Sequence, residues 1–432
     1  MAQLFMDFTP LKVSLEYRRI WYGNIFSTLS FFTTSTAIAL NIFALTSSTA
    51  AVGLTGIVAL LPLTLGGLYG GVIADSYDRR KVALGATLGA WVNGLLLAAQ
   101  AWLGGNNVYL LYAYIFIQSL LHPLNMAARA AIIPRLVGQE LLPAANALGM
   151  IVGTLGMSLG PMLAGLLLAS MGYQWIYSLN IVALLVGIWA LYKLPAILPE
   201  KEEEVNKDQA QGIGPVLEGI GYLTKVPVVG MTFLVDIIGM LLVQARPLIP
   251  ALVLVSFGGG DTAAGILLAA PAIGAFLGAA FSGWIKRIKA RGRLVVLSYI
   301  GWGLGFVLFG LVGLAYLQHN PSDPLPAQLP ALVLGSLGLA LAGWADSVGS
   351  ILRSTILQTA VPDRLRGRMQ GLFILTVTGG PNLGAAVSGF IAQLMGSAQA
   401  ALLGGLACIL AVTLFTLLAP SLWRYRLDQQ SS

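Results

Sequence analysis

The chain has 432 residues, of which 57% are hydrophobic and only 9% are charged. Soluble globular domains carry about 25% charged residues, so this composition excludes a soluble multidomain protein. The formal net charge of +7 is informative only through the positions of the cations along the chain.

Runs of apolar residues recur along the chain, each long enough to cross the roughly 30 Å of hydrocarbon in a bilayer. They predict an all-α membrane protein with twelve transmembrane helices in two six-helix halves. The predicted spans are 20–46, 50–75, 82–104, 108–131, 143–170 and 174–195, then 228–256, 262–285, 294–317, 330–354, 372–395 and 398–420. The predicted domains are an N-terminal half at 1–195, a polar linker with a short surface helix at 196–227, and a C-terminal half at 228–432.

Lysine and arginine lie on one side of this predicted bundle. All but four of the 24 fall in the termini or in the loops that follow the even-numbered spans. Because short cytoplasmic loops retain cations, both termini and the linker are predicted to be cytoplasmic. The orientation in the lipid bilayer then accounts for the net positive charge, and no nucleic-acid partner is expected. The only cysteine, Cys408, lies in an apolar run, so neither a disulfide framework nor a thiolate metal site is expected.

The two halves repeat one another. A shift of 212 residues aligns Gly71 with Gly283, and a shift of 224 aligns Arg129 with Arg353. Corresponding polar positions in two six-helix halves are typical of a transporter whose site lies between the halves. Further pairs at the second shift are His122 with Asp346, Gly156 with Gly380, Gly160 with Gly384, and Gly165 with Gly389.

Ionisable side chains inside membrane spans are costly unless they face protein or water, so each is a candidate functional residue. The predicted spans contain His122, Asp236, Arg246 and Asp346, with Arg129 and Arg353 at the inner ends of spans four and ten. Asn24, Asn41 and Asn125 add polarity to spans one and four.

Helical spacing puts Asp346 and Arg353 on one face, and likewise His122, Asn125 and Arg129. Asp236, Asp346 and His122 share a depth, so a polar layer between the halves is predicted. One hypothesis is that a carboxyl or imidazole group there couples proton entry to substrate exit. The alternative is a fixed network that only orients the helices.

The cations also have two interpretations. Arg246 precedes a proline near the outer end of span seven, where it either meets an anionic substrate or extends to the membrane interface. Arg129 and Arg353 are either inner-gate residues or similar interfacial side chains.

The loop after span two resembles the signature loop of the major facilitator superfamily, Gly-x-x-x-Asp-(Arg/Lys)-x-Gly-(Arg/Lys)-(Arg/Lys). Gly71, Asp75, Arg79 and Arg80 fall on the pattern, whereas Asp78 stands where glycine is usual. The resemblance implies that Asp75 latches span two against span eleven on the cytoplasmic side.

Span five resembles the antiporter motif of exporters in that superfamily, through Gly156, Gly160, Pro161 and Gly165. Glycines four residues apart also form a flat surface for close helix contact, and proline removes one backbone hydrogen bond. By the resemblance this motif implies export driven by antiport.

Segments around 17–21, 74–82, 141–148 and 361–368 resemble the transmembrane secretion effector branch of the superfamily. That branch implies a bacterial inner-membrane exporter of a small molecule, most simply a catecholate siderophore of the enterobactin type, with macrolide or multidrug efflux as the alternative. A proton gradient would be the energy source without any cofactor or metal, and the protein would be monomeric.

Two other classes of protein find little support. An ATP-driven permease needs a Gly-x-x-x-x-Gly-Lys-(Ser/Thr) loop, which the chain lacks, so no ATPase subunit is expected. An intramembrane enzyme needs paired catalytic groups, and the two histidines lie far apart in the chain. The protein is therefore not expected to be an enzyme.

Overall fold

The structure is a computed structural model. It describes residues 7–105, 107–197, 226–257, 260–282, 290–317, 325–361 and 363–425, together with residues 221, 223, 285 and 288. The elements within these residues are helices. In the N-terminal half they are α1 (Thr9–Val13), α2 (Leu15–Thr46), α3 (Thr49–Ser76), α4 (Arg79–Trp102), α5 (Val108–Met171) and α6 (Tyr173–Tyr192).

Short polar side chains begin several of these helices. Ser14 Oγ accepts a hydrogen bond of 3.1 Å from Tyr17 N at the start of α2. Asn107 Oδ1 accepts one of 2.9 Å from Tyr109 N at the start of α5. Such caps satisfy N–H groups that have no acceptor within the helix, so the helix starts follow from local sequence.

Helix α5 contains two of the predicted spans. Its backbone is helical from Val108 to Met171 except at Gly138, where φ is 75° and ψ is 168°. Glycine adopts this conformation without the steric cost that a side chain would add. The predicted loop between spans four and five is therefore helical on both sides of a single glycine.

In the C-terminal half the helices are α7 (Pro227–Leu242), α8 (Ile249–Leu252), α9 (Gly260–Ala280), α10 (Arg291–Ala315), α11 (Leu325–Ala360), α12 (Asp363–Met395), α13 (Ser397–Leu418) and α14 (Ser421–Arg424). A π-helical turn, Val253–Phe257, follows α8.

The predicted span at 228–256 is not one unbroken helix. Helix α7 ends at Leu242, and Val243 is extended, with φ −154° and ψ 131°. The chain then turns before α8 begins. Pro247 lacks an N–H and disfavours helical backbone at Arg246, which favours a break in the α-helix in this segment.

Nine helices among the described residues are long and apolar enough to cross a membrane, and Pro227–Leu242 is a shorter apolar helix. One of the nine is α5, whose 64 residues correspond to roughly 96 Å of straight helix at 1.5 Å per residue. Large apolar side chains face outward from the helices, as Leu96, Met150 and Leu417 do with exposures of 64%, 75% and 75%. Such an apolar outer surface is stable in contact with lipid.

The contacts group the chain into two units, Met1–Ser47 with Ile57–Lys201, and Ser48–Gly56 with Glu202–Ser432. In the first unit α2 and α4 each pack against α5 and α6. In the second unit α11 packs against α9 and α10, α10 packs against α13, and α7 packs against α12. The predicted linker at 196–227 lies outside the described residues except for 196, 197, 221, 223, 226 and 227.

Candidate functional site

An ion-paired cluster lies within the second unit, where α7 meets α10 and α11. Arg353 Nη2 lies 3.4 Å from Asp236 Oδ1 and 3.2 Å from Asp346 Oδ1. The side chains of Arg353 and Asp236 are 2% and 1% exposed, whereas that of Asp346 is 35% exposed. With all three groups ionised, the cluster has one more negative charge than positive charge.

Tyr299 on α10 completes this cluster, and the sequence analysis missed it. Its hydroxyl donates a hydrogen bond to Asp236 Oδ1. Its ring lies beneath the guanidinium, with Arg353 Cζ 5.0 Å from the ring centroid. The shift of 212 residues aligns Tyr299 with Thr87, so the internal repeat contained a signal for it.

The cluster leaves hydrogen-bonding capacity unused. Arg353 Nε, Arg353 Nη1 and Asp236 Oδ2 are buried without a hydrogen-bond partner among the described residues. A buried polar atom without a partner costs about 1–3 kcal/mol. The arrangement therefore has atoms that can take a different partner when the charge of the cluster changes.

The first unit also contains a polar cluster. It is called the first cluster, and the ion-paired cluster of the second unit is called the second cluster. Arg129 Nη1 on α5 donates a hydrogen bond to Asn24 Oδ1 on α2. About one turn away, Asn125 Nδ2 donates to Thr87 Oγ1 at 2.7 Å and to Ala83 O at 3.1 Å on α4. The first part of α5 is thus joined to α2 and α4 by polar contacts.

Arg129 and Arg353 are both buried against neighbouring helices. Arg129 is 7% exposed and Arg353 is 1% exposed, and each bonds a polar side chain on a neighbouring helix. This burial disfavours the hypothesis that they extend to the membrane interface.

The remaining predicted polar residues of the first unit lie elsewhere. His122 stacks on Phe31, with ring centroids 4.4 Å apart and an interplanar angle of 12°. Asn41 is buried, and its Nδ2 donates a hydrogen bond of 3.0 Å to the Tyr177 hydroxyl. The predicted face of His122, Asn125 and Arg129 thus divides between an aromatic contact and a hydrogen-bonded network.

Arg246 lies in the turn between α7 and α8 rather than within a helix, and its side chain is exposed. The break in the predicted span seven accounts for this position. Both hypotheses for Arg246, contact with an anionic substrate and extension to the interface, now concern an exposed side chain in a turn.

The loop after α3 is described only in part. The surroundings of Gly71 and the side chain of Asp75 are not among the described parts of the structure, and the predicted acidic latch falls there. Arg79 Nη1 donates to Ala131 O at 3.2 Å, and Arg80 Nη2 donates to Tyr192 O at 2.7 Å. Both cations therefore bond to backbone oxygens of their own unit.

Asp78, which departs from the superfamily pattern, begins α4. Its Oδ1 accepts hydrogen bonds from Arg80 N at 3.0 Å and from Ile197 N at 3.1 Å. Asp78 is 8% exposed. A carboxylate is a favoured helix cap, so this departure ties the start of α4 to the segment after α6.

The predicted glycine motif forms a close contact with α2. A Cβ on Gly156 would lie 2.6 Å from Thr28 Cγ2, and one on Gly160 would lie 2.5 Å from Phe32 Cβ. Pro161 and Gly165 are buried beside them. The prediction of a flat surface for close helix contact is thus met along this side of α5.

The sequence matches one family model, transmembrane secretion effector (MFS_3), over residues 6–431. The chain is 29% identical to the enterobactin exporter EntS of Citrobacter koseri over 424 residues, covering 98% of this chain and 96% of the relative. It is 30% identical to EntS of Escherichia coli O81 over the same share of each chain.

Solved structures of major facilitator transporters share the fold. The nucleoside transporter NupG aligns over 95% of this chain and 100% of its own, with a TM-score of 0.74 and 16% identity. A D-xylose-proton symporter aligns over 97% and 98%, with a TM-score of 0.67 and 15% identity. Given the family match along nearly the whole chain, the apolar helices and this shared fold, the protein belongs to the transmembrane secretion effector family and is a multi-pass transporter of the inner membrane, not an enzyme.

Proposed function

We propose that this protein is a proton-driven exporter of a siderophore of the enterobactin (catecholate) type. The observation that carries the proposal is the identity of about 30% to proteins named enterobactin exporter, along 98% of this chain. The exchange would need no cofactor, metal or ATPase subunit, and a single chain would suffice.

The proposed architecture has twelve spans in two halves, 1–195 and 228–432, with the linker 196–227 and both termini in the cytoplasm. The distribution of lysine and arginine supports this orientation. The internal repeat supports the two halves, because Arg129 bonds Asn24 in the first unit as Arg353 bonds Asp236 in the second.

Proton coupling is assigned to the cluster of the second unit. Two carboxylates share one guanidinium there, so uptake of one proton would balance the charge of the cluster. Asp346 is the more accessible carboxylate, with its side chain 35% exposed against 1% for Asp236, which favours Asp346 as the group that exchanges protons. Support for His122 is weaker, because its ring packs against Phe31.

The three arginines Arg129, Arg246 and Arg353 are proposed to contact the substrate or to form the inner gate. Arg353 already faces two carboxylates, which disfavours direct contact with an anionic substrate. Arg129 and the exposed Arg246 remain as candidates for such a contact. The loop residues Gly71, Asp75, Arg79 and Arg80 are assigned to the cytoplasmic latch by resemblance alone.

The close contact between α2 and the glycine motif Gly156, Gly160, Pro161 and Gly165 would serve as a seal or hinge. Neighbouring backbones approach there because no side chain intervenes. Asn24, Asn41 and Asn125 would line the interior of the first half.

Transport into proteoliposomes tests the proposal. The purified protein is reconstituted, and uptake of enterobactin is compared with uptake of the macrolide erythromycin into vesicles with an acidic interior. We expect enterobactin to accumulate, and an uncoupler that collapses the pH gradient to abolish the accumulation.

The possible outcomes separate the parts of the proposal. Accumulation of erythromycin alone would replace the siderophore with drug efflux. Enterobactin uptake that is unaffected by the uncoupler would remove the proton coupling. Uptake of neither compound would overturn the proposal as a whole.

A further inference from the structure

The two polar clusters occupy equivalent places in the internal repeat but differ in charge. Arg129 corresponds to Arg353 at the shift of 224 residues, and Asn24 corresponds to Asp236 at the shift of 212. Each arginine bonds the residue on the other helix of its own unit, Arg129 to Asn24 and Arg353 to Asp236. The arginine therefore contacts a neutral amide in one unit and a carboxylate in the other.

The charge balance of the two clusters is opposite. Arg353 faces two carboxylates, which leaves one negative charge in excess. Among the residues that the structure describes, Arg129 forms no ion pair, and the oxygen that it bonds is that of the neutral Asn24. The first cluster therefore has one positive charge in excess, on a side chain that is 7% exposed.

Unused hydrogen-bonding atoms surround this cation. Arg129 Nε and Ser27 Oγ are both buried without a hydrogen-bond partner among the described residues. They belong to side chains that meet at Gly187 on α6, where a Cβ would lie 2.7 Å from Ser27 Oγ and 3.7 Å from Arg129 Nη2. The glycine thus lets a guanidinium and a hydroxyl approach the same backbone position.

A buried cation without a counterion is unstable unless another charge compensates it. Removing one member of a buried ion pair is strongly destabilising, because the other charge is left without a partner. Charged groups kept inside membrane spans mark substrate and ion pathways. An anionic ligand that accepts hydrogen bonds from guanidinium N–H groups would supply the missing charge.

We infer that Arg129, with Asn24 and Ser27, forms the subsite for an anionic oxygen of the substrate within the first half. The excess positive charge there matches one catecholate or carboxylate oxygen, as the excess negative charge of the second cluster matches one proton. The charge of the first cluster is neutralised only by a bound anionic oxygen, and the charge of the second cluster only by a bound proton. This inference rests on the proposed function and names the contact through which that function would recognise its substrate.

A single substitution separates charge from shape at this subsite. Asn24→Asp replaces the amide by a carboxylate of nearly the same size and gives Arg129 the partner that Arg353 has. We expect the dissociation constant for enterobactin to rise at least tenfold, a change of about 1.4 kcal/mol. Equilibrium dialysis of the purified protein in detergent measures it.

Matched variants control for loss of the amide and for misfolding. Asn24→Ser removes the amide but adds no charge, and we expect its dissociation constant to rise clearly less than that of Asn24→Asp. Arg129→Gln removes the cation, and we expect the same loss of binding as for Asn24→Asp. The unfolding temperature of Asn24→Asp should be at least that of the unmodified protein, because the new carboxylate pairs with the buried cation.

Two results would overturn the inference. One is enterobactin binding by Asn24→Asp that stays within twofold of the unmodified protein. The other is an equal loss in Asn24→Asp and Asn24→Ser, which would show that the amide rather than the charge is needed.

A second probe, 2,3-dihydroxybenzoate, distinguishes this inference from the proposed function. Binding of this small anionic catechol that depends on Arg129, in a protein that does not bind enterobactin, would retain the subsite and overturn the siderophore. If the unmodified protein binds neither probe, both the subsite and the siderophore are overturned.

Discussion

The carboxylates Asp236 and Asp346 share one cation but differ in exposure. Asp236 is held by the Tyr299 hydroxyl and by Arg353, and its side chain is 1% exposed. Asp346 meets the same guanidinium nitrogen, with its side chain 35% exposed. A carboxylate that reaches the surface exchanges protons more readily than one enclosed by partners, so the two are expected to respond differently to substitution.

Asp346→Asn is expected to abolish the response of enterobactin transport to a pH gradient while preserving the fold. The amide keeps a hydrogen-bond acceptor for Arg353 but cannot gain or lose the proton. Asp236→Asn is expected to lower the unfolding temperature, because it removes a buried counterion of Arg353. Uptake into proteoliposomes with and without a gradient, together with thermal unfolding, measures both effects.

Glu140→Gln is the matched control, since Glu140 is an exposed carboxylate on α5 in the first unit. It should leave both coupling and stability unchanged. Full coupling in Asp346→Asn and in Asp236→Asn alike would remove the second cluster from the transport mechanism.

Helix α5 contains glycines whose surroundings differ with their position along the helix. Gly160 lies against α2, where a Cβ would come within 2.5 Å of Phe32 Cβ. Gly153 belongs to the same helix but has open space at its Cβ position. Both residues are glycines of one helical segment, and only the neighbouring helix distinguishes them.

Gly160→Ala is expected to destabilise the protein by about 1–3 kcal/mol, the usual cost of overpacking. Gly153→Ala should be neutral or stabilise by up to about 1 kcal/mol, because alanine favours helix more than glycine does. Unfolding of the purified proteins in detergent compares them. Equal stability of the two variants would contradict the close contact between α5 and α2.

The distribution of lysine and arginine predicts the orientation of the whole molecule in the membrane, with both termini in the cytoplasm. The single cysteine, Cys408, is fully buried, so cysteines added at exposed positions can be labelled without a background signal. Val13 and Leu103 are 70% and 85% exposed. Val13 lies in the N-terminal segment before span one, and Leu103 lies at the predicted outer end of span three.

Leu103→Cys is expected to react with a membrane-impermeant maleimide in intact cells, because residues 104–107 form a predicted outer loop. Val13→Cys should react only after the membrane is permeabilised, because the N-terminal segment is predicted to be cytoplasmic. The reverse pattern would invert the proposed topology.

Much of the fold was predictable from the sequence because its signals are local. An apolar run long enough to cross a bilayer predicts a span wherever it occurs, and the glycine motif of span five predicted the close helix contact that Gly156 and Gly160 make. The break after Leu242 was missed, because spans were predicted from the length of apolar runs and the polar Gln244 and Arg246 were counted within one run.

The sequence alone determined the membrane class, the positions of most spans and the short list of ionisable groups within them. Only the tertiary structure decided which of those groups meet: Asp236 with Arg353 and Tyr299, Arg129 with Asn24, and His122 with Phe31. The reason is physical. Helical periodicity determines the face on which a side chain lies, but the partner of that face depends on how separate helices pack.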